Sequence, residues 1–102
     1  MPMYTWGLTP QIIQQLSIFA IEGGFSVIAL ADKNDLPETI TAHDRIAIPL
    51  VQALHIVPLL QKRTCSPGIE ILVVTPPGLA PDTYGKIIDG LQFTYIAEDA
   101  LL

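Results

Sequence analysis

At 102 residues, half of them hydrophobic and only 15% charged, the chain has room for one α/β domain over 1–102 and none for a second. Ten acids against five bases leave a net charge of −5, and Lys62-Arg63 is the only adjacent basic pair, which argues against nucleic acid and anionic membrane as partners. The single cysteine, Cys65, excludes an intrachain disulfide and a multi-cysteine zinc site, and it fits a reducing, cytoplasmic setting.

Residues 1–21 carry no charged side chain, but they lack the basic start of a signal peptide and are broken by Thr9-Pro10 and three glutamines. Met3–Trp6 reads as a short first strand. Thr9 then predicts a helix N-cap with Pro10 at the first helical position, where a missing amide proton costs nothing. Ile12, Leu16, Phe19 and Ala20 follow at helical spacing, and Gly23-Gly24 ends the helix. Phe25–Ala31 is almost wholly apolar without alternation, which predicts a strand covered on both faces. Asp32-Lys33-Asn34-Asp35 breaks it, and Leu36-Pro37-Glu38 leads into an expected short helix reaching about Asp44.

Ile46–Leu60 is apolar all round. A buried helix over 46–56 ending before Pro58 is the first expectation, and a strand is its rival. At 15 residues with two prolines it is too short to span a bilayer, which needs roughly 20. Ile69–Thr75 is the best strand in the chain and Pro76-Pro77-Gly78 stops it. Asp82 predicts a cap for a helix over 83–89, Gln92–Ala97 alternates as a last strand, and 98–102 reads as a tail. Strands and helices therefore alternate, which predicts a small, three- to four-stranded, largely parallel sheet with flanking helices.

In open α/β sheets ligands bind beyond the carboxyl ends of parallel strands. Here those ends carry Asp32, Asp35, Glu98 and Asp99, oxygen ligands of the kind Mg²⁺ takes, with Lys33 available for an anionic substrate and Asn34 for orientation. The plainer reading is that acids occupy solvated loops. No nucleotide-binding glycine loop, serine-hydrolase elbow or zinc-protease motif occurs, so no cofactor is expected. Cys65 could serve as a nucleophile only if His43 or His55 reached it. His55, set among Leu54, Ile56 and Val57, reads as a buried imidazole.

Three local resemblances bear on this. Asp32–Pro37 resembles the guanine-specificity element of small GTPases, with Asp32 in place of the usual Asn and no phosphate loop anywhere. Met3–Pro10, with Asp32, Pro37 and Pro49, is similar to the thioredoxin-like KaiB family of circadian proteins, which implies a thioredoxin-like mixed sheet and protein docking. The helix between the blocks is too short for that family. Pro37–His43 resembles a ribosomal-protein family of RNA binders, but its RNA-contacting element is missing. These matches are mutually incompatible and none is assigned.

High apolar content in so short a chain leaves greasy surface that a partner or second copy would cover. The leading expectation is therefore a non-enzymatic interaction or regulatory module, a homo-oligomer or a subunit docked on another protein. Tyr4, Trp6, Leu50, Leu54 and Val57 are the expected interface residues. The alternative is a small enzyme or ligand sensor using the acidic rim.

Overall fold

Five strands of the main sheet run parallel: β1 (Pro2–Thr5), β2 (Ser26–Ala29), β4 (Arg45–Pro49), β6 (Glu70–Thr75) and β8 (Leu91–Ala97). Their order is β2-β1-β4-β6-β8, and β7 (Lys86–Ile88) closes the far edge antiparallel to β8. β3 (Thr39–Ile40) and β5 (Thr64–Cys65) form a separate two-stranded parallel sheet. The structure, a computed structural model, describes residues 1–66, 69–76, 86–88 and 91–101.

The strand order reverses between β1 and β4, as in doubly wound sheets. Helices following the two branches must then lie on opposite faces. α1 (Pro10–Glu22), which connects β1 to β2, packs on one face, where Leu16 and Ala20 meet Met3 and Ala47. α2 (Leu50–Gln61), which follows β4, packs on the other, where Ile56, Leu59 and Leu60 meet Ile46, Ile48 and Ile71. Alternation along β4 divides the two cores: Ile46 and Ile48 face α2, and Ala47 faces α1. A third small cluster joins Ile12 of α1 to Val74 and to Leu101 of α3 (Glu98–Leu101). The expected largely parallel sheet with flanking helices is what forms, with five parallel strands rather than three or four, and not the thioredoxin-like alternative.

α1 begins where the sequence places it. The Thr9 hydroxyl accepts a hydrogen bond from the Ile12 amide at 3.3 Å, and Pro10 opens the first turn. Gly24 continues the chain at φ +81°, a conformation that glycine adopts without strain.

Five expectations need correction. Residues 98–101 of the expected tail form α3, held because Leu101 packs against Ile12 and Val74. β2 is an edge strand and mostly exposed, not a strand covered on both faces. β4 rather than β2 pairs with the inner side of β1, and that long-range choice decides which apolar run is buried. The segment 36–44 forms no helix: a 3₁₀ turn at Lys33–Asp35 is followed by β3 and by a turn in which the Asp44 carboxylate accepts the Thr41 amide at 3.0 Å. Ile46–Leu60 is both a strand and a helix, divided at Pro49. Pro58 does not end α2, because Leu59 and Leu60 beyond it are drawn into the core. In the expected 83–89 helix, residues 86–88 are instead β7, and 83–85 and 89 lie outside the described residues, as does Asp82.

Candidate functional site

Strand order decides first which proposed groups can meet. Asp32 and Asp35 follow β2, whereas Glu98 and Asp99 follow β8. Four strand spacings of roughly 4.8 Å separate those strands, about 19 Å in all. The two pairs lie along the same carboxyl edge but too far apart to act on one ion, and among the described residues no group of three His, Cys, Asp or Glu side chains could hold a metal ion. Asp32 and Asp35 serve their own turn instead. Asp35 Oδ2 accepts the Asp32 amide at 3.2 Å, and Asp32 Oδ2 accepts the Asn34 side-chain amide at 2.9 Å.

The switch point between β1 and β4 opens into a cleft of about 250 Å³, bounded by Leu8, Thr9, Ile12, Leu50, Val51 and Glu98. In doubly wound sheets this is the usual ligand position. Its chemistry here is poor. Pro10 removes one amide from the α1 terminus, the Thr9 hydroxyl occupies another, and Glu98 opposes any anion. Gly7, at φ +78°, brings the backbone so near Pro49 that an added Cβ would stand 3.3 Å from its ring.

Of the expected interface residues, Trp6 is 5% exposed and belongs to the core on the α2 face, so it presents no anchor to a partner. Tyr4, Leu50 and Val57 are half-buried against the same core. Burial raises the Tyr4 phenol pKa, with a further upward push from the Asp44 carboxylate. Leu54 lies in α2, and its side chain is outside the described set.

Of the large exposed apolar side chains, three lie on α1, Ile18 at 56%, Phe19 at 53% and Ile21 at 72%; Val51 on α2, Met1 and Ile28 on β2 are the others. Phe19 and Ala20 form one wall of a trough of about 320 Å³ whose floor includes Leu72 of β6 and Thr94 and Ile96 of β8. At its end Arg45 Nε meets Glu70 Oε2 at 3.2 Å, and the guanidinium stacks 5.1 Å from the centre of the Phe25 ring. Both charges are partly exposed, so the pair contributes at most about 1 kcal/mol and mainly fixes the trough's polar rim. The signal for this surface is present in the sequence. At about 100° per residue, Ile18 and Ile21 stand about 200° and about 140° round the helix from Leu16, well off the stripe that Leu16 buries.

Cys65 is half-buried, its thiol directed at the Leu60 carbonyl at 3.6 Å. Burial pushes its pKa up, and the nearby Arg63 only partly counters this. A nucleophilic cysteine needs the opposite shift. His43 and His55 are both exposed, so the expected burial of His55 is not found. Among the described residues no helix is long and apolar enough to cross a membrane. Comparisons with protein-family models, curated proteins and solved structures found no match to this chain.

Proposed function

We propose that the chain is a non-enzymatic protein-interaction module that docks through the second half of α1 and the trough beside it, in the first instance onto a second copy of itself. The observation that carries this reading is the exposure of Ile18, Phe19 and Ile21 on a helix that has no charged side chain before Glu22. Large exposed apolar side chains grouped on one helix favour an interaction site, and a helix surface without charge lets two chains of net charge −5 approach there without local repulsion. The four carboxylates of the alternative, enzymatic reading stand at strand ends four spacings apart, which favours the docking reading.

Light scattering coupled to gel filtration over a dilution series tests the proposal. The expected mass rises above the 11.1 kDa of one chain with concentration, and falls back when Ile18 and Ile21 are both replaced by Gln. A one-chain mass at every concentration, with hydrophobic-dye binding unchanged by the substitutions, would remove it.

A further inference from the structure

The five Lys and Arg residues of this acidic chain are not evenly spread. Lys33, Lys62 and Arg63, together with His55, line one groove of about 190 Å³ between the C-terminal half of α2 and the 3₁₀ turn after β2. Among the described residues no carboxylate lines it, and Pro58 and Leu59 supply an apolar part of its wall. The nearest acids in sequence, Asp32 and Asp35, each use one carboxylate oxygen within their own turn.

The three cations differ in how they are held. Arg63 is fixed: its Nε donates to the Leu36 carbonyl at 3.2 Å, and its two terminal nitrogens donate to Leu59 at 3.1 Å and Asn34 at 3.4 Å. A guanidinium has five N–H donors, so two are left over on a group whose position is already set. Lys33 and Lys62 have no ion-pair partner among the described residues. Part of the cost of ordering a binding site has therefore been met in folding, and two mobile ammonium groups flank a fixed guanidinium. The carbonyl end of α2 opposes an anion here. Arg63 already satisfies one of those carbonyls, and the remaining partial charge is smaller than that of two lysines.

We infer that this groove binds the phosphate group of a small phosphate monoester, with Lys33, Lys62 and the outer edge of Arg63 on the oxygens and Pro58 and Leu59 against the organic part. The volume suits a metabolite-sized ligand and is below that of pockets for larger molecules. The inference is independent of the docking face, because it uses a different surface on the other side of the sheet.

Two-dimensional amide NMR tests it, with inorganic phosphate and phenyl phosphate titrated into the full chain at constant ionic strength and chloride as the balancing anion. The expected result is saturable shifts at Lys33, Asn34, Lys62 and Arg63, with phenyl phosphate the tighter of the two. The double substitution K33Q/K62Q should weaken both by roughly tenfold or more while leaving the rest of the spectrum in place. Arg63 is not a suitable target, since its hydrogen bonds hold the 3₁₀ turn against α2. Shifts that never saturate, or that K33Q/K62Q leaves unchanged, overturn the inference.

Discussion

Replacing Ile21 by Asp is the sharpest test of the docking face. Ile21 is 72% exposed in one copy. Full burial of an isoleucine side chain is worth roughly 1.5–3 kcal/mol, so covering this residue recovers about 1–2 kcal/mol per copy. A two-fold pair counts it twice, giving about 2–4 kcal/mol, or roughly 30- to 700-fold in the dissociation constant. Asp adds like charges across the axis and moves the result toward the upper end. Folding stability should change by less than about 0.5 kcal/mol, because the side chain buries little in one copy. Sedimentation or light scattering across a dilution series reads the first quantity, and urea denaturation at high dilution reads the second. Ile28→Asp is the control. Ile28 is 42% exposed on the edge strand β2, and by strand alternation it faces away from Val27 and the α1 core. Association that survives Ile21→Asp but fails in Ile28→Asp would refute the assignment of the face to α1.

Leu16→Ala removes a side chain with 0% exposure from the α1 core and should cost about 3 kcal/mol by urea denaturation, a large share of the stability of a chain this size. Thr5→Val should be neutral or stabilising by up to about 1 kcal/mol, since the Thr5 hydroxyl is fully buried without a hydrogen-bond partner among the described residues and Val keeps its shape. Burial raises the pKa of Cys65 from 9.0 and of Tyr4 from 10.0. For acids whose folded pKa lies above the unfolded value, stability is full below the unfolded pKa and is lost as pH rises through the folded one. Unfolding free energy should thus fall above about pH 9, and Cys65→Ser should remove the earlier part of that fall in a pH series.

The sequence carries the local decisions and not the long-range ones. Thr9, Pro10 and Gly23-Gly24 delimit α1 because capping is a matter of a few adjacent residues. Ile69–Thr75 reads as a central strand because both of its faces are apolar, and β6 is buried on both sides. Phe25–Ala31 has the same pattern but lies at an edge, because β4 takes the inner side of β1. No periodicity within the run encodes which neighbour wins. Ile46–Leu60 looked ambiguous because it holds a strand and a helix joined at one proline, so no single period fits it. The separation of the acidic strand ends has a similar cause. Loop chemistry was legible at each strand end, but the distance between ends depends on strand order.

That order also explains where binding chemistry can lie in this chain. A doubly wound sheet normally concentrates function at its switch point, where helix amides and strand ends converge. Here Pro10, the Thr9 cap and Glu98 use up or oppose that convergence. The groups left without partners are displaced to the two outer layers. On the α1 side they are apolar, Ile18 and Ile21, because α1 buries a narrow stripe against the small residue Ala47 and leaves its remaining large side chains outside. On the α2 side the exposed Val51 lies near the start of the helix, and at its end Lys33, Lys62 and Arg63 gather because Arg63 reaches the carbonyls of Leu36 and Asn34. The sheet lies between the two surfaces and, among the described residues, no side chain is common to both, so a substitution on one proposed face should leave the other unchanged.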